Sequence, residues 1–213
     1  MSAALRGPVD LLAVQYPGRQ DRREEPGVQD LHRTADEVSE ALRRWADLPL
    51  TLFGHSMGAL VAFEVARRVE RAGGRIDHLF VSGRKGPSAD RPEPSHPLDD
   101  EGIVAEVRAM SGTDARLLDD EELLRMVLPA LRADYRALGA YRADRDAVVT
   151  CPVTAVVGDQ DPWTPVPGAA RWRDRTTAAF DLRVFPGGHF YLSSRADEVT
   201  GMLRDHLAGP PRA

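Results

Sequence analysis

Leu50-Thr51-Leu52-Phe53-Gly54-His55-Ser56-Met57-Gly58, followed by Ala59-Leu60-Val61-Ala62-Phe63-Glu64-Val65-Ala66-Arg67-Arg68-Val69, is the stretch on which the fold turns. The first four residues read as a short apolar strand, and residues 59–69 read as a helix whose small first turn can pack on a sheet. Between them stands G-x-S-x-G, the pattern of a nucleophile elbow, in which a strand turns sharply into a helix and holds a serine at its tip. The five residues alone are a weak signal. A strand before and a helix after are the context that gives them meaning, and both are present. A side chain at Gly54 or at Gly58 is expected to clash where the two backbones approach.

A serine hydroxyl is a poor nucleophile by itself, so the elbow calls for a histidine base and a carboxylate that orients it. In this architecture they follow in the order serine, acid, histidine. The β-branched run Pro152-Val153-Thr154-Ala155-Val156-Val157 ends in Gly158-Asp159-Gln160-Asp161-Pro162, a loop after a strand. Phe180 to Phe185 alternates apolar and polar residues and breaks at Pro186-Gly187-Gly188-His189-Phe190. His189 is therefore the expected base. Asp161 is the expected acid, because Asp-Pro stiffens the loop, with Asp159 as the alternative and a plain turn role open to whichever is not used. His55 is expected to be packed or hydrogen-bonded inside the elbow. His32, His78, His96 and His206 are expected to be ordinary surface or core residues.

The remainder alternates strand and helix in the doubly wound manner. Leu31–Ala46 reads as a helix with Ala35, Val38, Ala41, Leu42 and Trp45 on one face, and Ile76–Ser82 as the next strand. The alternation stops at the proline-rich stretch Gly86–Pro97. Helices are then expected over Asp99–Met110, Asp120–Leu128 and Pro129–Tyr141, before the strand at Pro152–Val157. The fold class is α/β, a mostly parallel sheet flanked by helices with a helical lid insertion. Residues 1–84 and 146–213 are expected to form the two parts of the core and 85–145 the helical insertion, either a lid over the C-terminal strand ends or only a packing subdomain. Lid residues such as Ile103, Val107, Met110, Leu117, Leu118, Leu123, Leu124, Met126, Val127 and Leu128 are too apolar for one exposed face, so some are expected to line a channel.

Composition agrees with a single globular domain. The 213 residues are 42% hydrophobic with a net charge of −5, which disfavours nucleic acid as a partner. No run of eighteen apolar residues and no charged-then-apolar leader is visible, so neither a membrane partner nor export is expected and the setting is expected to be cytoplasmic. Cys151, the single cysteine, excludes an intrachain disulfide and is expected to be a small buried thiol. Lys85 is the one lysine among 28 basic residues. Clusters such as Arg22-Arg23, Arg43-Arg44 and Arg67-Arg68 are expected on solvated faces. No metal site is expected.

Val9-Asp10-Leu11-Leu12-Ala13-Val14-Gln15-Tyr16-Pro17-Gly18-Arg19-Gln20-Asp21-Arg22 resembles the Y-P-G-R-x-x-R signature of type II thioesterases, the editing enzymes of polyketide and nonribosomal peptide synthesis in the α/β-hydrolase superfamily. Gly54–Gly58, Phe80-Val81-Ser82-Gly83-Arg84, Leu131-Arg132-Ala133-Asp134-Tyr135 and Phe185–His189 match in order, and the likeness runs from Val9 to about His206. The resemblance implies hydrolysis of acyl groups from the phosphopantetheine thioester of a partner acyl or peptidyl carrier protein, clearing misprimed or stalled intermediates, with no cofactor of the enzyme's own. It implies Ser56 as nucleophile, His189 as base, Asp161 as its orienting carboxylate and the backbone N–H of Met57 as one oxyanion donor. The family takes its second donor from an F-P-x-A-G-G-like stretch ahead of the Y-P-G-R strand, and no Gly-Gly follows an apolar strand there in this chain. The expectation is an N-terminally incomplete version of a longer protein. A true short form would have to pair the Leu11–Tyr16 strand directly with Leu50–Phe53. Loss of one donor costs about 3–4 kcal/mol of transition-state stabilisation. A small-ester hydrolase and a catalytically impaired carrier-binding homologue are the alternatives.

Overall fold

The computed structural model describes residues 9–45, 47–88, 99–110 and 120–208. Its centre is a four-stranded sheet in which β1 (Leu50–His55), β2 (Ile76–Ser82), β3 (Val153–Gly158) and β4 (Phe180–Phe185) lie in that order. All three pairings are parallel. Parallel neighbours need a crossover, and helices supply each one. α1 (Leu31–Leu42) precedes β1, α2 (Met57–Arg71) joins β1 to β2, and α3 (Asp100–Ala109) and α4 (Glu121–Ala140) stand between β2 and β3. The short α5 (Val166–Ala170) follows β3, and α6 (Tyr191–Ser194) and α7 (Ala196–Ala208) close the chain.

Alternation along the strands builds two cores. Leu79, Val81, Val153, Ala155 and Val157 face α1, α2 and Trp172, whereas Phe80 and Val156 face Tyr191, Val199 and Leu203. β3 has neighbours on both edges and is buried at all six positions, as a run of β-branched residues in a parallel sheet should be. α3 and α4 share a third cluster around Ile103, Leu128 and Tyr135. Beneath α2, Glu64 accepts from Arg67 at 2.9 Å and from the Tyr141 hydroxyl at 3.0 Å, and Arg67 also reaches Asp144 at 2.9 Å. This network ties the first core helices to the chain that returns from α4.

Five expectations are corrected. Residues 10–16 form no strand, and Leu11, Leu12 and Val14 are 52%, 42% and 52% exposed. An extended segment is held only by a neighbour's hydrogen bonds, and neither this segment nor any other described strand pairs with the outer edge of β1. The direct pairing required of a short form is therefore not made. Second, α4 is one helix that runs through Pro129, not two helices. Pro129 forfeits one backbone bond, but Leu128, Ala130 and Ala133 are buried on either side of it, and that packing holds the helix together. Third, Ala41 is exposed, and α1 buries Leu31, Thr34, Ala35 and Leu42. Fourth, a Cβ at Gly58 would meet nothing within 4 Å. Arg67 is not on a solvated face either, being 4% exposed. The linker positions 89–97, His96, Leu117, Leu118 and Ala46 lie outside the described residues.

Candidate active site

Ser56 is placed by backbone strain. It has φ 53° and ψ −120°, one of only two non-glycine residues with positive φ among the described residues. Such a conformation costs about 1–3 kcal/mol and persists only where the surroundings enforce it. Here β1 and α2 enforce it. A Cβ at Gly54 would stand 2.0 Å from the Gly58 carbonyl oxygen, so only glycine lets the strand leave so close to the helix. The Ser56 N–H donates to the Ser82 carbonyl at 2.8 Å, which anchors the turn to β2. Met57 is the first residue of α2. Its N–H belongs to the first turn of that helix, whose N–H groups have no intrahelical acceptor and are available to an anion.

Two loops after β3 and β4 bring the other groups together. A Cβ at Gly158 would lie 2.3 Å from the Gly187 carbonyl oxygen, so the loops touch backbone to backbone. The Gln160 N–H donates to that same carbonyl at 2.9 Å. Across this contact Asp161 Oδ2 meets His189 Nδ1 at 2.8 Å, with both side chains buried. Asp161 Oδ1 accepts from the N–H groups of Trp163 at 2.9 Å and Thr164 at 3.1 Å. Burial alone would raise the Asp161 carboxyl; the hydrogen bond and charge of His189 together with the two N–H groups outweigh it and hold the group below its usual range. Asp159 does something else: it accepts from the Gly187 N–H at 2.8 Å and braces the turn. Of the two aspartates, Asp161 is the one that reaches the histidine.

With Nδ1 committed to Asp161, the other nitrogen of His189, Nε2, is buried and has no hydrogen-bond partner among the described residues. A buried polar atom without a partner is costly, and the adjacent His55 Nε2 shares that state. Ser56 and His189 line one cavity of about 420 Å³. Met57, Val107, Met110, Leu131, Leu138 and Phe190 give it an apolar wall, while Arg19, Arg84, Lys85 and Asp134 supply charge. The volume is that of an ordinary small-molecule site.

His55 packs beside His189 with ring centroids 4.9 Å apart and the rings tilted by 46°. Its Nδ1 lies 2.9 Å from Ser82 Oγ, which in turn lies 2.6 Å from the Tyr191 hydroxyl. Burial, and then the neighbouring His189, pushes the His55 imidazole down to about 4, so it is neutral at pH 7. A neutral ring can pack against the second imidazole without charge repulsion. A packed His55 is as the sequence suggests, whereas the Ser82–Tyr191 contact behind it joins residues 109 positions apart and has no local signal. Gly83 stands in the Phe80–Arg84 stretch, whose order of residues assigns it no role. It has φ 59°, and a Cβ there would approach His55 Cε1 to 2.5 Å and His189 Cε1 to 3.3 Å. A glycine after a strand, next to two predicted loops, was the available clue.

The sequence profile of the thioesterase domain family matches residues 1–207. The chain belongs to the thioesterase family. It is 49% identical over its whole length to the probable cadicidin biosynthesis thioesterase of Streptomyces griseus, of which it spans 59%. It is 48% identical to the thioesterase PikA5 of Streptomyces venezuelae, with 97% of this chain and 74% of PikA5 matched. The structure of the type II thioesterase BorB from the borrelidin biosynthetic cluster superposes with a TM-score of 0.88 at 46% identity, covering 97% of this chain and 84% of BorB. The parallel sheet with flanking helices is thus the α/β-hydrolase-type fold of type II thioesterases. Within that fold the elbow, the Asp161–His189 pair and Gly83 all lie beyond the C-terminal ends of the parallel strands, where open α/β sheets place their ligands. Among the described residues no helix is long and apolar enough to cross a membrane.

Proposed function

We propose that the protein is a serine thioesterase that removes acyl groups from the phosphopantetheine arm of a carrier protein in polyketide or nonribosomal peptide synthesis, clearing misprimed or stalled intermediates. The observation that carries the reading is the strained Ser56 on the wall of a cavity shared with the unpartnered Nε2 of His189, whose Nδ1 is held by Asp161. Ser56 Oγ attacks the thioester carbonyl while His189 Nε2 takes its proton. The oxyanion forms at the N-terminus of α2, against the Met57 N–H. Collapse breaks the carbon–sulfur bond, and His189 returns the proton to the departing sulfur. Water then repeats the sequence on the acyl-serine and frees the acid. Asp161 keeps the imidazole in the tautomer that both halves need.

Several features support the assignment to carrier-bound substrates. The chain is similar along nearly its whole length to thioesterases named for biosynthetic clusters. α3 and α4 contribute Glu106, Val107, Met110, Leu131 and Tyr135 to the cavity, as a lid over an acyl site would. The test is release of propionate from propionyl-loaded carrier protein, with Ser56→Ala as control. Release that depends on Ser56 is expected; equal release by the variant, or none by either protein, would reject the reading.

A further inference from the structure

Two family motifs meet in space although their charged members lie 115 residues apart. Arg19 of Tyr16-Pro17-Gly18-Arg19 donates from Nη2 to Asp134 Oδ2 of α4. The two side chains are 30% and 19% exposed, and the guanidinium also lies 5.5 Å from the centre of the Tyr16 ring. The turn that carries Arg19 is braced from within. The Gly18 N–H donates to the Arg22 carbonyl at 2.9 Å, and Arg22 Nη1 donates to the Gln15 carbonyl at 2.8 Å. Beside the ion pair the contact between turn and helix is made of small groups. A Cβ at Gly27 would come within 2.7 Å of Ala133 Cβ, and one at Gly18 within 3.7 Å of Ala130 Cβ.

Small apolar faces bring backbones close, but their attraction has no direction and does not fix a helix along its axis. A guanidinium–carboxylate pair does have direction. Burying it gains little net stability, and the best-attested use of such a pair is to fix register. Asp134 shows that cost, since burial pushes its carboxyl up to about 6 against the pull of Arg19. Tyr16, Arg19 and Asp134 all line the Ser56 cavity, and so do Leu131, Tyr135 and Leu138 on the same helix. We propose that the Arg19–Asp134 pair is a positioning clamp that fixes α4 against the core, sets the width of the catalytic cavity, and so determines acyl-chain selectivity. The selectivity clause rests on the proposed function; the clamp itself does not.

The test replaces the pair with apolar residues of similar size, Arg19→Met together with Asp134→Leu, which leaves no buried charge unpaired and preserves packing. Amide hydrogen exchange over residues 128–138 should rise roughly tenfold while the melting temperature holds. The ratio of kcat/KM for p-nitrophenyl propionate over p-nitrophenyl octanoate should move toward unity by roughly tenfold, the worth of about one methylene of fit. Arg19→Lys, which keeps the charge but not the planar guanidinium, should fall between wild type and the double variant. Unchanged exchange, or an unchanged ester ratio with faster exchange, would overturn the proposal. Wild-type protein that cleaves the esters but releases nothing from a carrier would reject the carrier substrate and leave the clamp standing. Wild-type protein with no activity at all would reject the proposed function, and exchange would still decide the clamp.

Discussion

Asp161→Asn is the substitution whose outcome the geometry fixes most tightly. Oδ1 of Asp161 accepts two backbone N–H groups, from Trp163 and Thr164, so an asparagine must put its carbonyl oxygen there. Its amide nitrogen then occupies the Oδ2 position, 2.8 Å from His189 Nδ1. Two donors cannot face each other. The imidazole must present a bare Nδ1 to the amide and carry its proton on Nε2, where it cannot accept one from Ser56. Rotating the amide to rescue the tautomer would sacrifice the bonds to Trp163 and Thr164, each worth about 0.5–1.5 kcal/mol, and would turn N–H donors toward N–H donors. The cost of the wrong tautomer in a serine triad is about four orders of magnitude in kcat, or about 5.5 kcal/mol. Initial rates on propionyl-loaded carrier protein, or on p-nitrophenyl propionate, measure it. Nitrogen-15 NMR of the labelled imidazoles reads the His189 tautomer directly. Asp159→Asn is the matched control, because an amide oxygen can still accept from the Gly187 N–H, and it should keep most of the activity. Asp161→Asn within tenfold of wild type, or Asp159→Asn as damaging as Asp161→Asn, would refute the assignment.

Gly54→Ala forces a methyl to 2.0 Å from the Gly58 carbonyl oxygen and should abolish folded, active protein, whereas Gly58→Ala meets nothing within 4 Å and should keep or raise the melting temperature, since alanine is favoured over glycine in a helix by about 1 kcal/mol; equal effects of the two would contradict the elbow geometry. Glu64→Ala takes from Arg67, which is 4% exposed, one of its two carboxylate partners, leaving Asp144, and removes the acceptor of the Tyr141 hydroxyl; urea unfolding should show a loss of about 1–3 kcal/mol, and a loss below about 0.5 kcal/mol would show that the network holds nothing. His55 has its folded-state pKa depressed to about 4, so its contribution is present above the unfolded value of 6.5 and is lost as pH falls from 6.5 toward 4. Each net proton taken up on unfolding is worth about 1.4 kcal/mol per pH unit, and His55→Asn should flatten the fall in urea midpoint over that window; superimposable curves would contradict it. Asp134, raised to about 6, works in the opposite sense between pH 6 and 4, so it softens the wild-type slope without reversing the effect of removing His55.

What was legible in the sequence was what local chemistry decides. The elbow was readable because strand, glycine, serine and helix are contiguous, and the loop histidine because a Gly-Gly pair after an alternating strand leaves few other readings. The separation of Asp161 from Asp159 was only suggested by Asp-Pro. The two differ in space: Asp161 Oδ2 lies against His189 Nδ1, whereas Asp159 accepts from the Gly187 N–H. Residues 11–16 have strand composition but no strand, because composition cannot supply the neighbouring ladder that a strand needs. Pro129 read as a boundary because its local cost is real, yet burial of Leu128, Ala130 and Ala133 overrides it. The Arg19–Asp134 contact was invisible for a different reason. Each residue stands in a family motif, but nothing in the order of residues says that a turn and a helix 115 positions apart will touch.

Ser56 itself should receive the acyl group. Rapid-quench mass spectrometry of the protein mixed with propionyl-loaded carrier protein reads that step. A propionyl adduct is expected on the peptide containing Ser56, formed before free propionate accumulates and absent from the Ser56→Ala protein. Propionate released with no adduct at Ser56, or released equally by Ser56→Ala, would contradict it.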